Sequence, residues 1–130
     1  MSNVASEIEE FSPSDGNWLG LDRAVGKLDG VDEEAISACL RVFEKYPEED
    51  GAGVFFTIIH TLEHFGGYES ALASSVLRSP NQWNLLMLNR MLNAEIDVAG
   101  DYAIFELLMN VHKNESVPLK LRELAIEYLG

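Results

Sequence analysis

The sequence predicts an all-α protein made of stacked antiparallel helical hairpins, arranged as a short HEAT-like α-solenoid. Apolar residues recur at helical spacing from residue 32 onward, and glycine or proline marks the boundaries between these periodic segments. No β-hairpin turn is flanked by alternating apolar and polar residues, so no strand pair is expected. Successive helices pair into units of about 30 residues, the size of α-solenoid repeats. The pairs share no clear sequence repeat, which leaves a compact helical bundle as the alternative.

Residues 1–28 form an N-terminal segment in which we expect two short helices, over 4–11 and 18–28, joined by a turn. Asp32 is then predicted to cap a helix that runs to about Tyr46. A strongly apolar helix follows over 52–65 and is expected to lie between neighbouring helices. Two glycines end it, and a helix of small residues runs from Tyr68 to about Arg78.

The segment Ser79-Pro80-Asn81-Gln82 gives the clearest boundary signal in the chain. Ser79 is expected to cap a helix that runs to Ala94, with Pro80 at its first position and Gln82 at its third. Asp97 is the expected cap of the helix after that. The remaining predicted helices span 98–112 and 117–129, which gives three hairpins at 32–65, 68–94 and 98–129.

The 130 residues, 47% of them hydrophobic, predict a single globular domain that folds without cofactor, metal or disulfide. No apolar run approaches the roughly 20 residues of a membrane-spanning helix, and the acidic start lacks the features of a signal peptide. We therefore expect a cytoplasmic protein. Its one cysteine, Cys39, lies among apolar positions of a predicted helix, so we expect a buried thiol with a packing role.

The formal charge of −13 is the strongest signal in the composition, and it is uneven along the chain. Residues 1–50 hold 13 acids against four bases, whereas residues 51–130 hold nine acids against five bases. Such a chain repels nucleic acid and anionic membranes and attracts basic partners at short range. Solubility alone also explains an acidic surface, so both interpretations stay open at this point.

His60, Glu63 and His64 fall within about one third of the circumference of a predicted helix. Their spacing matches the H-x-x-E-H pattern of inverted zinc peptidases, in which two histidines bind zinc and the glutamate acts as base. No second motif supplies a third ligand, and 130 residues leave no room for the rest of such a peptidase. We interpret the three residues as a structural polar seam that faces an adjacent helix, and we expect no metal.

Asn89, Arg90 and Asn93 interrupt a predicted helix of large apolar residues. Asparagine is a mediocre helix former, so two of them one turn apart indicate specific hydrogen bonds. We assign the three residues to the structural polar seam, tied to backbone at an inter-helix turn, with contact to a partner as the alternative. Asn93 could also simply end the helix.

The central block of the chain, about residues 54–94, resembles a known family. It carries His60-x-x-Glu63, then Gly67-Tyr68, then Trp83 ahead of Arg90-x-Leu92-Asn93. This pattern resembles small all-α immunity proteins of bacterial polymorphic-toxin and contact-dependent growth inhibition systems, of the type called immunity protein 30. The resemblance implies a cytosolic antidote that binds a cognate toxin domain and blocks it without catalysis. It also implies that His60, Glu63, Trp83 and Asn93 maintain the fold.

The charge adds an expectation about the contact surface. Many intercellular toxins are nucleases with basic substrate clefts, and an acidic inhibitor gains association rate and specificity by facing such a cleft. We expect the acids around the first hairpin to gather at one of its ends and form the partner-binding surface. These acids are Asp29, Asp32, Glu33, Glu34, Glu48, Glu49 and Asp50.

Two other functions fit parts of the sequence. An acidic chaperone or adaptor for a secreted protein would share the charge and the helices, and a neighbouring secretion gene would favour it. A metal hydrolase would use His60, Glu63 and His64, and stoichiometric zinc in the purified protein would reveal it. Against an enzyme, the sequence has no phosphate loop, dinucleotide fingerprint, nucleophile elbow, zinc-like cysteine pair or basic-aromatic patch.

Overall fold

The computed structural model describes residues 3–130, with Asn3 described for its backbone only. Within this range the chain forms eight α-helices, one short 3₁₀ turn and one two-stranded sheet, so the mostly helical class is confirmed. None of the helices in this range is long and apolar enough to cross a membrane. The elements are α1 (Asn3–Glu10), α2 (Leu19–Gly26), α3 (Glu33–Lys45), the 3₁₀ turn (Gly51–Gly53), α4 (Val54–Phe65), α5 (Glu69–Arg78), α6 (Gln82–Asn93), β1 (Val98–Ala99), β2 (Tyr102–Ala103), α7 (Ile104–Lys113) and α8 (Leu119–Tyr128).

The chain divides into two compact units, Met1–Tyr68 and Glu69–Gly130. In the first unit, α1 packs against α2 and α3, and α4 packs against α2 and α3. Ile8, Phe43 and Phe55 are completely buried at the centre of this packing. The ring of Trp18 lies edge-on to Tyr46 and Phe55, with centroids 5.3 and 5.4 Å apart, a favourable aromatic geometry. The N-terminal segment therefore belongs to the core of the first unit.

Helix α3 begins where the sequence predicts. The backbone N–H of Ala35 donates to Asp32 Oδ1 at 2.8 Å, which confirms Asp32 as the cap. Cys39 is completely buried on this helix, also as predicted. The main partner of α3 is α1 rather than α4, so the predicted 32–65 hairpin is not the principal packing pair of this unit.

Helix α4 begins two residues later than predicted. Gly51, Ala52 and Gly53 all have left-handed backbone angles, with φ of 60°, 52° and 90°. Left-handed residues cannot continue into a right-handed helix, so Ala52 lies outside it. Gly51 is required for a second reason, because a Cβ atom there would lie 2.6 Å from the ring of Phe55.

In the second unit, the start of α6 corrects the predicted cap. Asn81 rather than Ser79 is the N-cap, and its side-chain oxygen accepts from the N–H groups of Trp83 and Asn84 at 3.0 and 2.9 Å. Asn84 Oδ1 accepts from Asn81 N–H at 2.9 Å, which completes a capping box. The amide of Asn84 also donates to Ser75 Oγ at 3.1 Å, and all three of these polar side chains are at most 1% exposed. This buried network ties the end of α5 to the start of α6.

The expectation that the chain contains no strand pair is wrong. Residues 98–103, predicted as helix, form a hairpin in which Val98 pairs with Ala103 and Ala99 pairs with Tyr102. Strand β1 packs against α5, and Ala99 is completely buried there. The tertiary contact with α5 therefore overrides the local helical pattern.

Helix α7 accordingly begins at Ile104, and its first N–H donates to the backbone carbonyl of Asp97 at 2.9 Å. The side chain of Asp97 is not the cap that the sequence predicts. At the other end of α7, His112 Nδ1 donates to the carbonyl of Arg122 at 3.1 Å, and Arg122 Nε donates to the carbonyl of His112 at 3.0 Å. This reciprocal pair joins α7 to α8, which begins at Leu119, two residues later than predicted.

Candidate functional site

The seven acids predicted as a partner-binding surface lie in two groups at opposite ends of α3. Asp29, Asp32, Glu33 and Glu34 precede or open the helix, and 48–50 follow it. The 13 residues of α3, at a rise of about 1.5 Å each, separate the groups by about 20 Å. The expectation that all seven gather at one end is therefore wrong, because a helix of this length stands between the two groups.

The group at the start of α3 borders a groove between α1 and α3 with a volume of about 380 Å³. Small side chains from both helices line part of the groove and leave the space open. Charged side chains complete the lining, and they are Glu9, Glu10, Glu33, Glu34 and Arg41. Sequence reasoning found Glu33 and Glu34 but missed the other three, since only the packing of α1 on α3 brings them together.

Of the four carboxylates that line this groove, Glu9 is the one that basic side chains neutralise. Arg41 forms an ion pair with Glu9, and Lys45 Nζ lies 3.4 Å from Glu9 Oε2. Burial raises the pKa of Glu9, but Arg41 and then Lys45 outweigh this effect, so that the pKa lies below its ordinary value. The carboxylates of Glu10, Glu33 and Glu34 make no ion pair with any described residue. The groove therefore presents unneutralised negative charge.

Among the acids that follow α3, Asp50 has a mainly structural role. The carboxylate of Asp50 accepts from the backbone N–H of Ala52 at 2.9 Å and so fixes the left-handed turn before α4. Asp32 has the equivalent role at the start of α3. Glu48 and Glu49 are exposed in the loop between these elements. Of the seven predicted acids, Asp32 and Asp50 thus have a defined task in the local backbone.

His60 and His64 are exposed on α4, and Glu63 between them is half-buried. The ring of His64 lies edge-on to Phe65, with centroids 5.0 Å apart. Within residues 3–130, no group of three or more His, Cys, Asp and Glu side chains is arranged to hold a metal ion. The structural role assigned to His60, Glu63 and His64 stays a prediction.

On α6, Asn89 and Arg90 are half-buried, and Asn93 is the exposed last residue of the helix. The alternative that Asn93 ends the helix is therefore confirmed, and the seam role of the three residues stays a prediction. The asparagines with fully defined buried hydrogen bonds are Asn81 and Asn84 instead. Their i, i+3 spacing is that of a capping box, a signal that could have found them in the sequence.

Comparison of the chain with protein-family models, with curated proteins and with solved structures gives no match. In the first unit, the α1–α3 groove combines a concave surface, solvent access and unneutralised charge.

Proposed function

We propose that this protein is a bacterial immunity protein, which binds a cognate toxin domain, in the class of basic nucleases, and neutralises it by occupying its surface. The α1–α3 groove carries this proposal, because four carboxylates and one guanidinium line it. A lysine or arginine of the toxin that enters the groove meets charge of the opposite sign from two helices. Such complementarity favours specificity and association rate.

The charge of the first unit supports the same proposal. Residues 1–68 contain 14 acids and four bases. A field of this sign steers a basic domain toward the groove and raises association rates by about 10-fold to 1000-fold at low salt. Nucleic acid and anionic membranes are repelled by the same field.

The groove is also held in place before a partner arrives. Lys27 Nζ lies 3.1 Å from Glu7 Oε2, and Arg41 and Lys45 pair with Glu9, so that α1 is tied to both of its neighbours. Ala5 and Ile8 of α1 are also buried, which adds apolar packing to these ion pairs. A preorganised surface loses little conformational entropy on binding, which leaves more of the contact energy for affinity.

Inhibition by this route makes and breaks no covalent bond. A nuclease toxin holds its polyanionic substrate with basic side chains, and carboxylates that occupy those side chains exclude the substrate. The proposal includes action in the cytoplasm, where the toxin would act, and stacking of the helical hairpins as a short HEAT-like α-solenoid.

The test is co-expression of this chain with the toxin domain encoded by the gene immediately upstream. The proposal predicts restored growth, a complex that co-purifies, and a toxin of unchanged mass that regains activity after the complex is dissociated. Restored growth together with a cleaved or modified toxin would mean that the chain neutralises the toxin by an enzymatic activity and not by binding. Unrestored growth, with both proteins expressed and no complex, would contradict the proposal.

A further inference from the structure

A second groove lies in the first unit, where the start of α2 meets the start of α4. Its volume is about 410 Å³, within the range of about 300 to 1,000 Å³ that is typical of ligand pockets. Residues 16–19 and Asp22 line it from the first of these segments, and residues 52–54 and Thr57 line it from the second. None of these residues lines the α1–α3 groove. We call this separate site the α2–α4 groove.

Part of the lining of the α2–α4 groove is apolar. The apolar side chains that line it are Trp18, Leu19, Ala52 and Val54. Trp18 and Val54 are buried, whereas Leu19 is 59% exposed. The ring of Trp18 is held in place by Tyr46 and Phe55, which it contacts edge-on. Leu19 is therefore the large apolar side chain of the groove that a partner can still cover.

Local hydrogen bonds fix the backbone of this groove on both sides. Asn17 Oδ1 accepts from the N–H of Leu19 at 3.0 Å, and the N–H of Asn17 donates to the carbonyl of Ser14 at 2.9 Å. In the other segment, the carboxylate of Asp50 holds the N–H of Ala52. A surface fixed in this way loses little conformational entropy on binding.

The charge around the α2–α4 groove favours a basic occupant. Asp22 is the charged residue of the lining, and its exposed carboxylate makes no ion pair or hydrogen bond with any described residue. The two lining segments belong to stretches of the sequence, 1–22 and 46–77, that contain no lysine or arginine. A second copy of this chain would bring more charge of the same sign, and anionic lipid or nucleic acid would be repelled as well.

An arginine side chain of a partner matches both properties of the groove. Leu19 and Asp22 are three positions apart in α2, so their side chains lie on the same side of this helix. The methylene stem of an arginine can cover Leu19 while its guanidinium pairs with the carboxylate of Asp22. The occupant that complements the groove is therefore an arginine on the surface of a basic protein.

We propose that the α2–α4 groove is a second contact site for the toxin and that it accepts an arginine side chain of the toxin. The inference rests on the proposed function, because the partner is the same protein. The exposed acids of the α1–α3 groove act mainly on the association rate. Covering Leu19 and pairing Asp22 instead slow the dissociation of the complex, the rate in which most affinity differences between related complexes lie.

The experiment measures the association and dissociation rate constants of the chain with the upstream-encoded toxin domain. Leu19→Ser removes apolar surface from the groove, and Thr57→Arg fills the groove with an arginine of the chain itself. Leu119→Ser is the control for the first variant, because Leu119 is 63% exposed and does not line the groove. Ser74→Arg is the control for the second, because Ser74 is an exposed hydroxyl residue within α5. Thermal melts establish that all four variants fold as the wild type does.

A further pair of variants tests the carboxylate. Asp22→Asn removes the charge of the groove, and Asp101→Asn removes the charge of another exposed acid that lines neither groove. Both variants change the net charge of the chain by the same amount. A difference in binding between them therefore reports the position of the charge and not its total.

We expect Kd to rise at least about tenfold for Leu19→Ser and Thr57→Arg and to stay within about twofold for their controls. Faster dissociation should account for the change in Leu19→Ser. Asp22→Asn should raise Kd about threefold to tenfold, and Asp101→Asn should leave it close to the wild-type value.

Tight binding of the wild type with unchanged binding of all three groove variants would overturn this inference and leave the proposed function intact. Equal losses in the groove variants and their controls would also overturn the inference alone, because the effect would not be specific to the groove. A homodimer that Leu19→Ser dissociates would assign the groove to a second copy, with the same consequence. A wild-type chain that does not bind the toxin would overturn both the inference and the proposed function.

Discussion

Gly100 at the tip of the β-hairpin lies directly against Ser70 on α5. A Cβ atom built on Gly100 would lie 2.5 Å from Ser70 Oγ and 2.9 Å from Ser70 Cα. The backbone at Gly100 is also left-handed, with a φ of 62°. Both space and backbone angle therefore require glycine at this position, and the contact holds the hairpin against α5.

Gly100→Ala is expected to lower the free energy of unfolding by about 2 to 5 kcal/mol, as the sum of left-handed strain and overpacking. Gly16→Ala is the matched control, because Gly16 has a φ of 74° but nothing within 4 Å of its added Cβ. The control should lose only about 1 to 2 kcal/mol. Urea denaturation measures both variants, and equal losses would refute the role of the contact with Ser70.

Asn84→Ala should destabilise the protein by about 2 to 4 kcal/mol, because it removes buried hydrogen bonds to Asn81, Ser75 and Ser79. Asn93→Ala, at the exposed end of the same helix, should change stability by less than about 0.5 kcal/mol. Chemical denaturation of the two variants provides the comparison. A loss of stability in Asn93→Ala as large as that in Asn84→Ala would show that the buried hydrogen bonds do not contribute more to stability than the exposed side chain does.

Glu9→Gln should destabilise the protein at neutral pH by up to about 1 kcal/mol, the range of partly exposed ion pairs. Since the pKa of Glu9 is lowered from its ordinary 4.5 on folding, the stabilisation is fully present above that value. It is lost as the pH falls through the lower pKa of the folded state. Melting curves between neutral and acidic pH should therefore converge for the wild type and Glu9→Gln, while Glu10→Gln stays close to the wild type throughout.

Cys39 should resist thiol reagents in the native protein. Burial raises its pKa to about 12, so almost no thiolate exists at pH 8, and the sulfur is completely enclosed. Reaction with a chromogenic disulfide should be complete in urea and proceed natively only as fast as the protein opens. Rapid native labelling would contradict the packing of α3.

Charge reversal distinguishes the two ends of α3. Glu33→Lys with Glu34→Lys should slow association with the toxin by about tenfold or more, because both residues line the groove. Glu48→Lys with Glu49→Lys makes the same change of charge beyond the other end of the helix and should have a smaller effect. Stopped-flow association rates at low salt provide the measurement, and a stronger effect at 48 and 49 would move the contact surface to that loop.

The helices could be predicted from the sequence because their signals are local. Asp32 capped α3 as predicted, and Gly66 followed the last residue of α4. At the start of α6, two overlapping cap signals were present, and burial of Asn84 against Ser75 favours Asn81 over Ser79. That burial is a tertiary effect that the local pattern does not contain.

The hairpin and the groove depend on contacts between distant parts of the sequence. Gly100-Asp101 is a possible hairpin turn, but the flanking strands are only two residues long, and the contact with Ser70 decides the outcome. The groove could not be predicted without the packing of α1 on α3, because this packing places Glu9 and Glu10 opposite Glu33 and Glu34. The charge along the sequence predicts a basic partner. The division of the predicted acids between the two ends of α3 follows only from the fold.

The most direct test of the central claim is the association rate constant of the purified chain with its toxin domain as a function of ionic strength. Matching of opposite charges predicts a steep decrease as NaCl rises from about 50 to 500 mM, because the Debye length shortens over this range. The equilibrium complex should persist at the lower salt concentrations. A rate that does not change with salt, or increases with it, would contradict the account.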